Sequence, residues 1–400
     1  MTASDKSRPA FPNEPQSELM LDDGVKIIAV SDLSALESHA DAWNKLALSM
    51  TAALPMVSHA WVASYFEHQL RPREKWLCLM AYRGDKLLGV LPLLIVPHPI
   101  WGTRSPRLRM PGNYDTVSVD AALSESEPEK AFGYLLFALR KAFPSFQSLE
   151  FSRLPEKSAT LTSLGRIAEH FFAVREAAGF GNYVRIDGTY ENYLDSLSHN
   201  FRRNLKKNSK KIEQLPDLVT DFHSGCEIKC QHLTTFLDIE ASGWKGQAGT
   251  SIKQSVSLKA FYEALDRKLR ELGWLEYHFL RSGDKAIAGH FAVRFGRTLV
   301  LTKIGYDETY AQGAPGNYLF NKNLQRAFER NDTDLIDCLS DEPWHNNWNT
   351  CRRSYYNLYL YPKRTLPFIF GMLPRRLHRV ARKIPILYNL YHRIRREKNK

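Results

Sequence analysis

The sequence predicts a mixed α/β fold, of the α+β kind, made of two similar halves and a basic helical tail. Segments rich in β-branched and apolar residues alternate with amphipathic helical segments along residues 25–362. Two short motifs recur in the same order in both halves, and the positive charge is concentrated in residues 363–400. Each half is therefore expected to hold a mixed, mostly antiparallel sheet flanked by helices.

The recurring motifs indicate an internal duplication. Gly84-Asp85-Lys86 recurs as Gly283-Asp284-Lys285, and Pro111-Gly112-Asn113-Tyr114 recurs as Pro315-Gly316-Asn317-Tyr318. The offsets, 199 and 204 residues, are nearly equal, which is typical of tandem copies. The second Pro-Gly-Asn-Tyr opens a predicted helix, whereas the first leads into a predicted strand over residues 115–119. We therefore interpret the first half as the degenerate copy.

The patterns divide the chain into four parts. Residues 1–24 are polar and proline-bearing and are predicted to be a disordered leader, without the features of a signal peptide. Residues 25–187 and 188–362 are the two predicted domains, and residues 363–400 are the tail. Long helices are expected at 33–50, 158–170 and 190–215, and the strands that matter most at 285–295 and 298–306.

The tail carries nearly all of the net charge of +12. Residues 363–400 hold twelve Lys and Arg against one acid, while the rest of the chain holds 43 against 42. Its apolar residues recur at steps of four and three, as in a basic amphipathic helix on an anionic membrane surface: Leu373, Leu377, Val380, Ile384, Leu387, Tyr391 and Ile394. We favour that interpretation over a helix docked on the protein. No stretch reaches the roughly 18 apolar residues that span a bilayer.

The cysteines predict neither disulfides nor a metal site. Five scattered cysteines are typical of free thiols in a reducing compartment. Cys226 and Cys230 lack a second His or Cys pair at metal-ligand spacing, so no metal is expected. The predicted location is the cytoplasm, with the tail at the inner face of the membrane.

Residues 298–330 form the segment with the clearest chemistry. A predicted strand, Thr298–Tyr306, feeds a Gly/Pro loop and then a predicted helix from Asn317. Free backbone N–H groups and the positive end of the helix dipole meet at such a junction, where they can bind a pyrophosphate. The alternative is an ordinary crossover loop that binds nothing.

The order of motifs in the second half resembles a known superfamily. Four segments carry the resemblance: the basic run His199–Lys207, Glu240 with Gly243–Gly246, Gly305–Asp307 with Ala314–Gly316, and Asp341–His345 with Trp348. Residues 190–350 are similar to the GNAT superfamily of acyl-CoA-dependent acyltransferases, and most resemble the CelD/BcsL-like acetyltransferases of cellulose biosynthesis, with a BioF2-like core. The related Fem-type aminoacyltransferases are also tandem GNAT-like proteins. The family's Tyr-Lys pair near the last motif is replaced here by Trp344-His345.

The resemblance implies where an acyl-CoA would bind. Acetyl-CoA or another acyl-CoA would lie along Thr298–Tyr306, with its thioester carbonyl near a strand amide of Lys303, Ile304 or Gly305. Its pyrophosphate would contact amides at the loop and helix start: Gln312, Gly313, Gly316 and Asn317, with Pro315 fixing the turn. The acyl group would pass directly to an amine or hydroxyl.

Four side chains are candidates for the general base, each with a structural alternative. His290 suits proton transfer near neutral pH, but a hydrogen-bonded sheet histidine is the commoner case. Asp307 ends the strand beside the predicted thioester, but such a residue is more often a turn or cap residue. Glu240 is either an acceptor-cleft residue or a solvated helix glutamate. His345 lies between two tryptophans.

The predicted acceptor site combines aromatic and basic residues. Trp344 and Trp348 would stack on a sugar, or are simply core residues, and Trp244 and Lys245 would line the acceptor cleft. Arg203 and its neighbours form a basic helix face that would bind a phosphorylated acceptor or the CoA 3′-phosphate, or is only solvated. No signature of specific nucleic-acid binding accompanies it.

Three functions remain open from the sequence. The first is an acyl-CoA-dependent N- or O-acyltransferase, most simply an acetyltransferase, acting on a sugar, glycan or other cell-envelope precursor. The second is a Fem-like transferase that takes an aminoacyl group from tRNA. The third is a non-catalytic, membrane-associated subunit of a glycan-export system.

Overall fold

A computed structural model describes residues 16–51, 54–97, 105–243, 246, 248–364 and 367–373. These ranges leave out Trp244, Lys245 and the tail from residue 374 onward. The strands are β1 Gln16–Met20, β2 Val25–Val30, β3 Lys75–Arg83, β4 Lys86–Val96, β5 Arg107–Arg109, β6 Ala122–Leu123, β7 Ser148–Pro155, β8 Phe171–Arg185, β9 Leu218–Ser224, β10 Leu275–Ser282, β11 Lys285–Phe295, β12 Thr298–Tyr306, β13 Leu335–Asp337 and β14 Cys351–Pro362. The α-helices are α1 Leu33–Glu37, α2 Ala40–Leu48, α3 His59–His68, α4 Pro128–Ala142, α5 Ala159–Thr162, α6 Tyr190–Ser196, α7 His199–Ile212, α8 Cys230–Ser242, α9 Val256–Glu271 and α10 Pro315–Arg330.

All fourteen strands belong to one mixed sheet. Its order is β1-β2-β3-β4-β5-β7-β14-β8-β13-β12-β11-β10-β9, with β6 paired to β4 at one side. The hairpin β3–β4, which turns at Gly84, corresponds to the hairpin β10–β11, which turns at Gly283. Both glycines have positive φ, +55° and +57°, which explains why a glycine recurs at each turn. The predicted mixed, mostly antiparallel sheets with flanking helices are confirmed.

The two halves exchange strands at the centre of the sheet. β8, the last strand of the first half, lies between β13 and β14 of the second half. β14, the last strand of the second half, lies between β7 and β8 of the first. A cut in the chain near residue 187 therefore divides a continuous sheet, and α3 of the first half also packs against α9 of the second.

Several predicted elements have different bounds. Gln16–Met20, predicted as part of the leader, pairs antiparallel with β2 as an edge strand. The predicted strand at 115–119 is absent because the Asn113 side chain accepts hydrogen bonds from the amides of Asp115 and Thr116 and holds a turn there.

Three predicted helices are shorter or interrupted. The helix predicted at 190–215 breaks at Ser198, whose hydroxyl accepts the Phe201 amide and starts α7. The helix predicted at 33–50 breaks between α1 and α2 near His39, and that at 158–170 shrinks to α5. The edge strand β9 was missed because its half-exposed sequence, LVTDFHS, has no buried face to mark it.

The apolar core of the second half positions β12 from both faces. α10 packs against β10 and β11 on one face, and α8 packs against β11 and β12 on the other. No helix within the described ranges is long and apolar enough to cross a bilayer.

Candidate active site

β12 has an open edge along its C-terminal half. It pairs with β11 along its length, but with β13 only over Thr298–Val300. A bulge at Thr302 shifts the register with β11, and the Thr302 hydroxyl donates to the Phe291 carbonyl at 2.8 Å. In the described part of the chain no strand pairs with residues 301–306 on the far edge, so a ligand can lie along it in the manner of an added strand.

The start of α10 lies at the end of this open edge. Ala314 precedes the helix with φ +50°, Pro315 is its first residue, and no side chain caps it. The amides of Gly316 and Asn317 form no hydrogen bond with any described residue, and both residues are half-buried. A Cβ on Gly316 would lie 3.5 Å from the Tyr306 ring, so the helix start and the strand end are in contact. These two amides are therefore free of protein partners within the described residues, as the predicted pyrophosphate site requires.

The other two predicted phosphate-binding amides are differently used. Gln312 and Gly313 lie in a short 3-10 helix, Glu308–Gly313, whose i→i+3 pattern occupies backbone amides. Gly313 is buried, and a Cβ there would lie 2.5 Å from Ile212 Cδ1. That glycine is therefore required for the close approach of α7 to the loop.

α7 lies next to the start of α10 and carries a basic face. A shallow cleft between them is lined by Asn204, Asn208, Ala314 and Asn317, among others. Five exposed cations of α7 make no ion pair with any described carboxylate: Arg203, Lys206, Lys207, Lys210 and Lys211. This predicted basic face is therefore available to an anionic ligand on the exposed side of α7, and none of its five cations lines the cleft.

A buried polar cluster lies across β12 from α10. The Lys303 ammonium contacts the Asp115 carboxylate, with 2.7 Å between Nζ and Oδ1, and both side chains are mostly buried. Tyr262 of α9 is fully buried beside them, and its hydroxyl has no hydrogen-bond partner within the described residues. Burial favours a lower pKa for Lys303, but Tyr262, Asp115 and Glu240 together outweigh it and raise the pKa, so the lysine stays charged.

Glu240 lies at the C-terminal end of α8, directly against β12. A Cβ on Gly305 would lie 3.2 Å from Glu240 Cα, so the glycine lets this helix approach the strand. The side chain is buried, and its Oε2 accepts the Ile252 amide at 2.9 Å. The solvated-glutamate alternative is therefore wrong, and the Glu240 backbone lies against Gly305, the predicted thioester position.

His290 does not line the predicted cleft. It is directly opposite His278 on the sheet face that α10 covers, and only 3% of it is exposed. His278 in turn contacts Phe222 and lies close to Arg326 of α10. Burial lowers the pKa of His290 well below its usual value. The imidazole is thus a neutral core group on the α10 face of the sheet, opposite the face on which Gly305 contacts Glu240.

Asp307 is a cap residue. Its side chain accepts the Thr309 amide at 3.0 Å and pairs with Lys285 Nζ at 2.6 Å. Burial acts to raise its pKa, but the hydrogen bonds from Lys285 and Thr309 outweigh this and lower it. The structural alternative therefore describes Asp307 better than a role as base.

The group around His345 belongs to the core. His345 is fully buried, its Nδ1 accepts the Glu342 amide at 3.0 Å, and Trp344 contacts its ring. Trp348 is also fully buried, between Phe201 and Phe320. Trp348 therefore cannot stack on a sugar, which corrects that prediction, while Trp344 is half-buried.

The structure adds three residues that the sequence did not single out. Tyr114 and Asp115 come from the first half, and Tyr262 comes from α9. The only sequence signal for the first two was the repeated Pro-Gly-Asn-Tyr, which was interpreted as degenerate. Within the described residues, no group of His, Cys, Asp and Glu side chains is arranged to hold a metal.

Comparisons with known proteins support the fold. Residues 199–344 match the family model described as an acetyltransferase (GNAT) domain. The crystal structure of FemX superposes with a TM-score of 0.57 at 10% identity, covering 84% of this chain and 98% of FemX. The C-terminal domain (DUF2156) of a putative lysylphosphatidylglycerol synthetase from Agrobacterium fabrum gives 0.50 at 11% identity, covering 81% and 92%.

A tandem GNAT protein from the clavulanic acid biosynthesis pathway superposes with a TM-score of 0.45 at 10% identity, covering 86% of this chain and 97% of that one. No curated protein sequence matches the chain. The match identifies residues 199–344 as an acetyltransferase (GNAT) domain, and this domain supports the enzyme class of acyltransferase.

Proposed function

We propose that the protein transfers an acyl group, most simply acetyl, from acyl-CoA to an amine or hydroxyl of a sugar or other cell-envelope precursor. The observation that carries the proposal is the pair of unoccupied amides of Gly316 and Asn317 beside the open edge of β12. A diphosphate at the helix start would leave the pantetheine arm to run along that edge toward Lys303–Gly305.

The transfer step needs two groups besides positioning. A strand amide in Lys303–Gly305 stabilises the negative charge on the thioester oxygen as the acceptor's nitrogen or oxygen attacks the carbonyl carbon. The carbon–sulfur bond then breaks, the thiolate leaves, and the acceptor loses one proton. We assign that proton to the Glu240 carboxylate, because the Glu240 backbone lies directly against Gly305 and its buried side chain interacts with Lys303.

The acceptor class rests on the resemblance to CelD/BcsL-like acetyltransferases. We therefore propose that the acceptor is a sugar or polysaccharide precursor. We also propose that the enzyme acts at a membrane. The alternative donor, an aminoacyl-tRNA, is favoured by the five exposed cations of α7, which make no ion pair with any described carboxylate and would suit a nucleic-acid backbone. FemX and the putative lysylphosphatidylglycerol synthetase domain share the fold, at identities too low to decide the donor.

A thermal-shift titration separates the two donors. We expect acetyl-CoA to raise the melting temperature saturably, because a ligand that binds only the folded state stabilises it. Free CoA should act similarly, since the diphosphate contacts are shared. No shift with any acyl-CoA, combined with a salt-sensitive shift with tRNA, would replace the acyl-CoA proposal by the aminoacyl-tRNA one.

The tail carries a separate proposal, that residues 366–400 attach the enzyme to anionic membranes. The support is its charge and its apolar stripe in the sequence. Removing residues 366–400 should abolish cosedimentation with vesicles containing phosphatidylglycerol. Equal sedimentation of the full-length and shortened chains would assign membrane contact to another surface or exclude it.

A further inference from the structure

Both copies of the Pro-Gly-Asn-Tyr motif lie next to strand β12. The second copy starts α10 and contacts Tyr306 at the end of β12, on the donor side. The first copy reaches Lys303 of β12 from the opposite face, where the Tyr114 ring lies 5.5 Å from the Lys303 ammonium. The half interpreted as degenerate therefore supplies a loop to the active site of the other half.

The first-copy loop is held rigidly by polar contacts. Asn113 accepts hydrogen bonds from the amides of Asp115 and Thr116, and its own amide donates to Gln69 at 3.1 Å. The Gly112 carbonyl accepts from Arg109 and Tyr65, at 2.9 and 3.3 Å. These contacts fix the backbone on both sides of position 114.

Two further contacts fix the residues that follow Tyr114. Asp115 pairs with Lys303, and the Thr116 hydroxyl, which is buried, accepts from the Trp61 indole at 3.0 Å. The loop is thereby attached both to its own half and to β12. A loop held this firmly fixes the backbone from which the side chain at position 114 projects.

That side chain is Tyr114. It is 83% exposed, more than any other large aromatic residue in the described part of the chain, although residues on both sides of it are buried or bonded. An aromatic ring in open solvent contributes nothing to the core, and a rigid one loses little conformational entropy on binding a ligand. The ring therefore has the properties of a contact surface.

We propose that Tyr114 is the platform on which the sugar ring of the acceptor stacks. This rests on the proposed function, and it adds the residue and the half of the chain that select the acceptor. The donor occupies the α10 side and the open edge of β12, while Lys303, Glu240 and Tyr114 lie on the other side, so donor and acceptor approach β12 from opposite faces. A pyranose offers an apolar C–H face to the tyrosine ring and hydroxyls to the charged groups beside it.

The test uses the full-length protein with three variants and three probes. Tyr114→Ala removes the ring, Tyr114→Phe keeps it, and Phe137→Ala removes a 43% exposed ring on α4, away from the site. The probes are glucosamine, N-acetylglucosamine and cellobiose, titrated by saturation-transfer NMR in the presence of saturating CoA. Acetyl-CoA affinity is measured in parallel by calorimetry.

We expect at least one sugar to bind the wild-type protein, and Tyr114→Ala to weaken that sugar about tenfold while acetyl-CoA affinity is unchanged. Tyr114→Phe and Phe137→Ala should bind like the wild type. Equal sugar affinity in Tyr114→Ala and wild type, or no binding of any probe by a wild-type protein that binds acetyl-CoA, overturns this inference and leaves the donor assignment standing. If the wild-type protein does not bind acetyl-CoA, that result would instead contradict the proposed function.

Discussion

Lys303 of β12 and Asp115 of the first half form an ion pair, 2.7 Å from Nζ to Oδ1, in which the two side chains are only 13% and 16% exposed. The pair joins the two halves at the strand that carries the proposed chemistry. Because both charges are removed from water, each depends on the other for compensation. The contact thus couples the position of the first-copy loop to the state of the active site.

Asp115→Asn should destabilise the protein by roughly 2–4 kcal/mol, since it leaves the Lys303 ammonium buried without a countercharge. Urea unfolding measures the change. The matched control is Asp334→Asn, which breaks the Arg297–Asp334 pair of similar length, 2.8 Å, whose side chains are more than half exposed. The free energy of unfolding of that variant should fall by less than about 1 kcal/mol. Equal costs for the two variants would show that the Lys303 pair is not effectively buried.

Glu240→Gln should lower kcat by about 10²–10⁴-fold and leave acetyl-CoA affinity unchanged, because the amide cannot accept the acceptor's proton. The amide oxygen can still accept the Ile252 N–H, so the local fold should be retained. Steady-state kinetics with an amine acceptor, alongside calorimetric binding of the donor, provides the measurement. A variant with wild-type kcat would require a different base.

Stability should fall as the pH drops from about 6.5 toward 4, in part because of His345. Burial lowers the pKa of this imidazole to about 4 from an ordinary 6.5, so in this window the unfolded chain binds a proton that the folded chain does not. One such group contributes a slope of at most about 1.4 kcal/mol per pH unit.

The measurement is the free energy of unfolding across this pH range for His345→Asn and for a control at the exposed His170, His170→Asn. The first variant should be less stable at pH 7, since the ring fills a buried site, but its stability should change less between pH 6.5 and 4. The control should keep the wild-type slope. An unchanged slope in His345→Asn would contradict the assignment.

Trp348→Ala should cost about 3–5 kcal/mol of stability, the usual range for removing a buried aromatic side chain. The indole is enclosed by Phe201 and Phe320, so the loss is one of packing. Folded protein at low temperature should retain its affinity for the sugar probes. A selective loss of sugar binding with little loss of stability would restore the original prediction that Trp348 stacks on a sugar.

The sequence predicted local structure well where the pattern is determined by neighbouring residues. The bounds of β11 and β12 are as predicted, and α10 begins two residues before the predicted start, because alternation, turns and helical spacing are local signals. The strand exchange between β8 and β14 was beyond such reasoning, since it depends on pairing between residues nearly 200 positions apart.

The candidate site also combines features that local sequence predicts with features that depend on long-range contacts. The β12–α10 junction was readable because strand, loop and helix are consecutive. Asp115 and Tyr114 were missed as site residues because they reach Lys303 through the tertiary fold, 188 positions away for the Asp115 contact. His290 was misplaced because alternation identifies the two faces of a strand but not which helix covers each.

The central claim is that the amides at the start of α10 hold the diphosphate of acyl-CoA, and calorimetric titration of acetyl-CoA into Gly316→Asp and Gly316→Ala tests it most directly. A Cβ at this position makes only ordinary contact with Tyr306, so both variants should fold, and an acidic side chain in the first turn is favourable for the helix itself. We predict near-wild-type affinity for Gly316→Ala and no measurable binding for Gly316→Asp at an unchanged or higher melting temperature. Wild-type affinity in folded Gly316→Asp would contradict the account.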